Sequence, residues 1–596
     1  MNHKFSALVT SLALIASTAA VMPAAPAAYA ENYLPERVNL ATDEATKEFF
    51  PEVINQGAVG SCVACATTYY QFTYEARKTL RANNPNADID FTYSPASTYP
   101  QINDGVDGGS VEVKAYDVLK DRGALTVDQS NYDQQIGIIF YNGEPDYTYY
   151  IRTSYYNSLK DFEKPFFEKV NDDFYRRVGE YITADEYNAL RGSDKIRYIS
   201  VWNDSNLYYR YVRTYRAIPR DTEALFKAMN MRLDSYEGCS PYQSKIIGDG
   251  KYYNWGTSSE TAREDKYINR IKEYLSEGKV VAASADFNYE MFMKHVGDGV
   301  NETDELAVYQ NAAGPKYRGH EFTIVGYDDN ITCDINGNGK IDAGESGAFR
   351  MVNSWGDSFG NNGFVWVMYD AVRAKSAVEN CPGVPEKYSR TTALGDAYKI
   401  NVSEKSLKLV TEVDLLTDNF YDISIDNSCG THYLERNGGS STDEKVVYSG
   451  PIFSDITDLC SDERGNRGNG RAFRINVNNA NGGYNTKVVI KRICIKDDKG
   501  RVVTSKIITP DDQVAAKFRN GGDAIDIDRY LQINLPRGDM NYDGVFNEED
   551  YDIVEAYYAD PENSDLSLFQ IELLDANDDG INDETDLAIL RDNMVK

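Results

Sequence analysis

The stretch Asn55–Phe72, with the sequence NQGAVGSCVACATTYYQF, decides the fold of the first half of the chain. Cys62, Cys65 and Tyr69 recur in it at the spacing of one helix face, which predicts a buried helix with Cys62 in its first turn. The N-terminus of a helix favours an anion, here a thiolate. Gln56 lies six residues before Cys62 and can present its amide N–H to a developing oxyanion. The stretch therefore predicts a cysteine nucleophile.

The overall composition limits the partners that the chain can have. It has 596 residues, too many for one hydrophobic core, so several domains are expected. Its formal net charge of −31 argues against nucleic acid and against an anionic membrane as partners. Such a charge suits a secreted protein or one that binds cations.

Residues 1–30 have the pattern of a secretory signal peptide. Lys4 supplies the positive end, the segment from Ala7 to Val21 is mostly apolar, and Ala28-Tyr-Ala30 offers a small-x-small cleavage site. A membrane anchor is the alternative, but the apolar run is short for one. We therefore expect cleavage after Ala30 and an extracellular location.

A base and its orienting partner follow much later in the chain. His320, one of only four histidines, opens an apolar strand that ends in Gly326-Tyr327. Asn353-Ser-Trp355-Gly comes after another apolar segment, and an Asn side chain can accept from an imidazole N–H and hold the ring towards a thiolate. A Trp beside that bond keeps water away. Cys, His and Asn in this order, each with its own flanking residues, are a strong signal.

These segments resemble the papain-like cysteine peptidases over about residues 31–385. The resemblance implies an α+β fold of two lobes and hydrolysis of peptide bonds through a covalent acyl-enzyme. It also implies a Gly pair that binds an extended substrate, and a residue after the histidine that lines the pocket for the second substrate residue. The implied residues are Cys62, His320, Asn353 and Gln56 for catalysis, and Gly108, Gly109 and Glu321 for substrate binding. An acid at Glu321 could favour a basic substrate side chain, or could instead pair with an Arg of the chain.

Four departures from that family pattern stand out. Val59 replaces the cysteine that usually precedes the nucleophile, and Val63 replaces a usual Trp. Only thirty-one residues separate Ala30 from Cys62, which leaves no room for the usual inhibitory propeptide. Cys62 and His320 are 320 − 62 = 258 residues apart, against roughly 130–150 in simple members, so residues 131–256 are an insertion. It could cover the cleft, shape specificity, inhibit, or be inert.

Two features of the cysteines bear on other functions. Cys62-Val-Ala-Cys65 is also a C-x-x-C pattern, but a redox site of that kind needs its own βαβ context and has no use for His320 or Asn353. Cys65 is expected to point into the core. Eight cysteines follow the signal, and their connectivity cannot be read from sequence, although a free Cys62 leaves at least one other thiol unpaired.

A loop between the histidine and asparagine segments matches the calcium loop of EF-hands, with oxygen ligands at positions 1, 3, 5, 7, 9 and 12 and Gly at 6. The alternative is an Asn/Gly hairpin turn. We expect Ca²⁺ to stiffen the hairpin rather than to take part in chemistry. The ligands would be Asp334, Asn336, Asn338, Lys340 through its carbonyl, Asp342 and Glu345.

Residues 390–532 change character. Alternating strands separated by Gly-rich turns predict an all-β sandwich. The sequence shows no site in it, and it could bind carbohydrate or protein or serve as a spacer.

Residues 537–596 contain a duplicated loop and helix with an offset of 575 − 539 = 36 residues. The duplication resembles the dockerin module, which implies Ca²⁺ in both loops and docking onto a cohesin module of a scaffold protein in cellulosome-type complexes. Loop positions 10 and 11 often face the cohesin, and they differ between the two loops. The implied calcium ligands are Asp539, Asn541, Asp543, Val545, Asn547 and Asp550 in the first loop, and Asp575, Asn577, Asp579, Ile581, Asp583 and Asp586 in the second.

The sequence thus predicts a multidomain protein: a signal peptide, an α+β papain-like two-lobed peptidase at 31–385, an all-β sandwich at 390–532 and a small α calcium-binding dockerin at 537–596. The expected function is that of a secreted cysteine endopeptidase tethered to a scaffold cohesin. The alternative is a catalytically silent peptidase fold used for binding and anchored by the dockerin.

Overall fold

The computed structural model describes most of the chain after the predicted signal peptide. The predicted signal at 1–30, Gly108 and much of the insertion at 131–256 lie outside the described residues. Glu36–Lys596 form one compact unit, to which all that follows belongs. The described residues are 34–57, 59–103, 109–130, 137–138, 149–158, 167–169, 174–177, 181–189, 198–203, 206–211, 218–241, 260–286, 292–297, 305–310, 319–373, 376–380, 394–417, 419–429, 432–436, 448–462, 465–466, 468–479, 487–508, 516–517 and 527–595.

The helix that carries the predicted nucleophile, called the nucleophile helix below, begins at Cys62 and is buried on all sides. It consists of an α-helical turn Cys62–Ala64, a π-helical stretch Cys65–Phe72 and an α-helix Thr73–Asn83. Every residue from 61 to 77 is buried, which agrees with the predicted buried helix and extends the burial from the one face with helical spacing to all sides. The helix contacts different apolar clusters on its two sides. Cys65 packs with the nine-stranded main sheet described below, whereas Cys62 lies in a separate cluster on the other side of the helix. A helix enclosed in this way needs no polar face.

The main sheet has nine strands and supplies the histidine and the segment before the asparagine. The histidine strand, Gly319–Thr332, pairs antiparallel with Val281–Asp286 on one side and with Ser346–Val352 on the other. Arg37–Asn39 also pairs with it. The strands follow one another across the sheet as Phe292–His295, Leu306–Gln310, Phe364–Met368, Ser346–Val352, Gly319–Thr332, Val281–Asp286, Ala397–Glu404 and Met231–Cys239.

The strand Ala397–Glu404 corrects the predicted boundary of the sandwich. It pairs with Val281–Asp286 and with Met231–Cys239, so it belongs to the main sheet and not to a domain that starts at 390. Its side chains Ala397 and Ile400 are buried in the apolar clusters around the main sheet. The change of domain therefore falls between Glu404 and Leu409.

The chain also forms helices and, within the predicted insertion, sheets that are separate from the main one. The α-helices are Pro95–Thr98, Glu112–Arg122, Thr222–Ala228 and Glu260–Ser276, and the 3-10 turns are Lys47–Phe49, Tyr99–Gln101 and Tyr369–Val372. Within the predicted insertion at 131–256, one sheet contains Gly137–Ile138, Tyr149–Arg152, Phe167–Lys169 and Phe174–Arg177, a second contains Tyr181–Thr183, Tyr198–Asn203 and Asn206–Tyr211, and helices include Thr153–Ser158, Ala184–Ala189 and Thr222–Ala228. The strand Met231–Cys239 also falls within those bounds but belongs to the main sheet, so the predicted end of the insertion at 256 is wrong.

The next domain contains two antiparallel sheets over a shared core. Val413 and Ile493 of one sheet lie in the same apolar cluster as Ile425 and Ile475 of the other, as in a sandwich. The first sheet contains Tyr448–Asp455, Leu409–Thr417, Lys487–Asp497, Val502–Ile507 and Ala516–Lys517, and the second contains His432–Arg436, Ile423–Cys429, Arg471–Asn479 and Ile527–Ile533. The 3-10 turns Phe420–Asp422 and Thr457–Cys460 and a short pair, Ser461–Asp462 with Gly465–Asn466, complete the domain.

The tail packs directly on the sandwich. Its helices are Glu548–Ala559, Leu568–Leu574 and Glu584–Asn593, with a 3-10 turn Pro561–Asn563. Phe569 belongs to the core cluster of the sandwich, and a Cβ on Gly468 would lie 3.1 Å from its ring. A buried ion pair joins Lys408 to Glu572. The tail is therefore an extension of the sandwich core rather than a module on a free linker. In the described part of the chain, no helix combines the length and the apolar character that crossing a bilayer requires.

Candidate active site

Two loops are joined by backbone contacts and bring the predicted site residues together. Asn55 forms a β-bridge with Trp355, and the Gln56 N–H donates to the Ser354 carbonyl at 2.7 Å. The Gly356 N–H donates to the Ile54 carbonyl at 3.0 Å. The segment before the nucleophile helix is thus fixed to the segment that carries the asparagine.

Tyr70 adds a tie that the sequence analysis missed. Its buried hydroxyl accepts from the Ile54 N–H and donates to the Asn353 carbonyl, both at 3.0 Å. It therefore connects the nucleophile helix to both loops. The residues three and four positions after Cys65 are Thr68 and Tyr69, so helical spacing places Tyr69, and not Tyr70, on the face of Cys65.

His320 and Asn353 form a sequestered hydrogen-bonded pair. Nε2 of His320 lies 2.8 Å from Oδ1 of Asn353, which also accepts from the Ser354 N–H at 2.7 Å. The half-buried imidazole lies between Phe322 and Trp355, whose ring centroids are 4.7 and 4.8 Å from its own. Because the amide oxygen faces Nε2, the Nε2–H donates to it, and Nδ1 is the basic nitrogen. Burial lowers the pKa of His320, although the bond to Asn353 opposes this.

Cys62 lies against the histidine strand. A hydrogen bond from the backbone of Glu321, the residue after His320, reaches its thiol and lowers its pKa. Burial is the larger effect and raises the pKa of Cys62 to about 11. Both shifts favour uncharged forms, a neutral thiol and a neutral imidazole. Burial thus penalises a lone thiolate and a lone imidazolium alike.

Gln56 is held in one orientation from both ends of its amide. Nε2 donates to the Val59 carbonyl at 2.8 Å, and Oε1 accepts from the Ser354 hydroxyl. The side chain is buried. Its amide is therefore fixed beside the loop that leads into Cys62.

Of the two glycines predicted to line the cleft, the structure describes Gly109. It has a φ of +84°, which favours glycine, and the Gly60 carbonyl oxygen is 4.0 Å from the position of a Cβ there. Gly109 thus lies next to the loop before Cys62. The next residue, Ser110, donates from its hydroxyl to the Ile102 carbonyl at 2.8 Å.

Glu321 and Glu112 form a buried pair of carboxyl groups beside Cys62, and the sequence analysis named only the first. Glu112 begins the helix Glu112–Arg122, and a side-chain hydrogen bond joins it to Glu321. Both residues are buried. Burial, and next the neighbouring Glu112, raise the pKa of Glu321 well above its usual value. Glu321 therefore retains its proton at a pH where an isolated glutamate has lost it.

Replacing Glu321 with glutamine is expected to stabilise the protein, and more so at higher pH. Above the usual glutamate pKa of 4.5 the unfolded chain releases a proton that the folded chain retains, so wild-type stability falls as pH rises towards the folded-state pKa. Glutamine cannot ionise and escapes this loss. Melting temperatures of Cys62→Ala and of Cys62→Ala with Glu321→Gln, compared from about pH 4 to about pH 8, measure it without titration of the thiol. A difference that does not grow with pH would contradict the pairing.

The three predicted calcium loops share one conformation. The carboxylates at position 1, Asp334, Asp539 and Asp575, accept from the backbone N–H groups of positions 5 and 6. The carboxylates at position 12, Glu345, Asp550 and Asp586, accept from positions 2, 3 and 9. The glycines at position 6, Gly339, Gly544 and Gly580, all have positive φ.

The donor atoms of these loops are oxygens, which suit a hard cation such as Ca²⁺. Within the described ranges, however, no three His, Cys, Asp or Glu side chains stand close enough together to hold a metal ion. The acidic side chains are instead bonded to the backbone of their own loops. The fit of the loops to Ca²⁺ thus rests on the chemistry of their oxygen donors.

Comparisons with known proteins give distant structural likenesses. No family model matches the chain, and no curated protein is similar to it. Among solved structures, it is similar to xylellain, a cysteine protease from Xylella fastidiosa, with 15% identity over 62% of this chain and 87% of that chain and a TM-score of 0.30. It is similar to the bromelain protease from Ananas comosus in complex with the E64 inhibitor, with 10% identity, the same 62%, 100% of that chain and a TM-score of 0.27. Digestive procathepsin L 3 of Tenebrio molitor larval midgut gives 13% identity, 62% and 70% coverage and a TM-score of 0.27. These likenesses are too remote to carry a function.

Proposed function

We propose that the chain is a papain-like cysteine endopeptidase with Cys62 as nucleophile, His320 as base and acid, and Asn353 as the residue that orients the histidine. The observation that carries this is the 2.8 Å contact between Nε2 of His320 and Oδ1 of Asn353. The residue after His320 on the same strand, Glu321, forms a backbone hydrogen bond to the Cys62 thiol. A nucleophile, a base and a residue that orients the base are the three parts that acyl transfer requires.

The neutral pair sets the order of proton movement. Nδ1 of His320 takes the thiol proton as sulfur bonds to the carbonyl carbon of the substrate, so the two charges appear together. Gln56 and the N–H of Cys62, the first residue of its helix, donate to the resulting oxyanion. His320 then gives its proton to the leaving amine as the peptide bond breaks, which leaves a thioester. Water attacks the thioester with His320 again as the base, and this restores the thiol and releases the acid.

The direct test is hydrolysis of a denatured protein by the purified chain, with the new termini identified by mass spectrometry. Cleavage at internal peptide bonds is the expected result. Release of single terminal residues would show an exopeptidase, and intact substrate would favour the second candidate, a peptidase fold used only for binding. The buried, uncharged Cys62 thiol is the observation that favours that candidate.

We also propose that the Glu112–Glu321 pair binds a basic side chain of the substrate. At that subsite, Lys or Arg is expected to be preferred over an uncharged residue by about tenfold or more, since a hydrogen bond between charged groups in a buried pocket is strong. The preference should rise with pH as Glu321 gives up its proton. A peptide library measures it, and Glu112→Gln with Glu321→Gln is the variant that should abolish it. A profile that is the same in both proteins would refute the assignment.

We propose that the chain is exported, and that its tail binds Ca²⁺ and attaches to a cohesin of a scaffold protein. The support is the repeated loop conformation and the exposure of positions 10 and 11, which are Glu548 and Glu549, then Glu584 and Thr585. Packing on the sandwich leaves these residues accessible. Binding to a panel of immobilised cohesins, with and without a chelator, tests the attachment, and retention despite chelation would contradict the role of Ca²⁺.

Chelation of divalent cations is expected to lower the melting temperature. An ion present at 100 to 1,000 times its Kd stabilises the folded protein that binds it by about 3–4 kcal/mol. Calorimetry with a chelator, followed by added Ca²⁺ or by Mg²⁺ as the control ion, measures this. Equal melting temperatures under all three conditions would show that the loops are turns without an ion.

A further inference from the structure

The segment Tyr99–Asn103 supports the nucleophile from one side. Tyr99 and Ile102 are buried and lie in one apolar cluster with Cys62 and Val63. Because protein interiors are close-packed, a shift of this segment changes the surroundings of Cys62.

The same segment is tied to the candidate wall of the cleft. The hydroxyl of Ser110 donates to the Ile102 carbonyl, and Ser110 follows directly on Gly109. Gly109 lies beside the Gly60 carbonyl, two residues before Cys62. Ile102 is thus in contact with both sides of this part of the site, the apolar cluster of Cys62 and the segment of Ser110.

The sandwich domain holds that segment from behind. Tyr421 of the turn Phe420–Asp422 is buried, and its hydroxyl donates to the Pro100 carbonyl and lies 2.9 Å from Oδ1 of Asn103. Arg122 lies with its guanidinium 6.0 Å from the centroid of the Phe420 ring. These contacts come from a domain that begins more than three hundred residues after the segment.

The surrounding interface is built like a core. Arg232 of the main sheet and Asp455 of the sandwich form a largely buried ion pair. The rings of Phe226 and Phe453 pack edge to face at 5.7 Å. A spacer would join the peptidase through an exposed linker with few contacts, and this sandwich does not.

We infer that the sandwich is part of the framework of the active site and that Tyr421 is a positioning residue for the cleft wall at Gly109. The inference rests on the proposed peptidase function. Tyr421 touches no reacting atom in it, and acts through Pro100, Ile102 and Ser110. The sandwich thus holds the substrate-binding wall in place. This is a different role from the spacer that the sequence left open.

Tyr421→Phe tests the inference, with Tyr448→Phe as the matched control. Tyr448 is also buried in the sandwich, but its hydroxyl donates to the Pro451 carbonyl of the same domain at 2.6 Å. With a peptide substrate, Tyr421→Phe is expected to raise KM about tenfold and to leave kcat within about twofold, since the wall binds the substrate and carries no chemistry. Tyr448→Phe should change neither constant.

Hydrogen exchange of peptides that cover residues 99–122 gives a second measurement that needs no activity. Tyr421→Phe should speed exchange there, and Tyr448→Phe should not. Equal kinetics and equal exchange in the two variants would overturn the inference while leaving the peptidase intact. An inactive wild type refutes the proposed function instead, and faster exchange in Tyr421→Phe alone would then still establish the mechanical link.

Discussion

Replacing Cys62 with alanine is expected to abolish peptide hydrolysis, with a fall in kcat of about 10⁴-fold or more. Without the thiol no acyl-enzyme forms, and the oxyanion donors alone give little rate. The variant should fold, because an alanine side chain fits the buried first turn of the helix and the change removes only one sulfur atom. Assays at high enzyme concentration, with circular dichroism to verify the fold, measure the effect.

Cys65→Ala is the control for that result. Cys65 lies on the same helix one turn later, is fully buried, and packs with the main sheet rather than with the cluster of Cys62. Its loss should lower stability slightly and leave kcat nearly unchanged. A fall in kcat of equal size in both variants would place the chemistry elsewhere or identify a redox pair.

Asn353→Ala is expected to lower kcat by roughly 10²- to 10⁴-fold with little change in KM. Without Oδ1 the Nε2–H of His320 has lost its acceptor, and the ring is no longer held with Nδ1 as the base. The Ser354 N–H also loses its acceptor, so a lower melting temperature is expected as well. Steady-state kinetics on a peptide separate kcat from KM.

Asn427→Ala separates orientation from stability. Asn427 is a buried asparagine of the sandwich whose Oδ1 accepts from the Thr411 hydroxyl at 3.0 Å. Its replacement should cost similar stability and spare kcat. If both variants lose kcat in proportion to their melting temperatures, Asn353 is only a structural residue.

Local motifs in the sequence predicted much of the candidate site. Helix spacing put Cys62 in the first turn of a helix, and an apolar run put His320 on a strand, where the structure also has them. These are properties of short segments. The residues that were missed, Tyr70, Glu112 and Tyr421, act through contacts with parts of the chain up to 321 positions away, which no local pattern reveals.

The errors in the fold have the same origin. The alternation in Ala397–Glu404 predicts a strand correctly but says nothing of its partners, and the strand joins the main sheet. The spacing in Cys62–Phe72 predicts a helix, but not that a second lobe covers its other side. The tail loops were readable as a repeat, whereas the packing of Phe569 on the sandwich depends on tertiary structure.

Active-site labelling tests the central claim most directly. The protein is treated with an epoxide-type cysteine-peptidase inhibitor, digested, and analysed for the modified cysteine by mass spectrometry. We expect a single adduct on Cys62, formed much more slowly in His320→Ala and absent after denaturation, because only the folded site supplies the base. Labelling of several cysteines at equal rates, or labelling of Cys62 at the same rate without His320, would contradict the account.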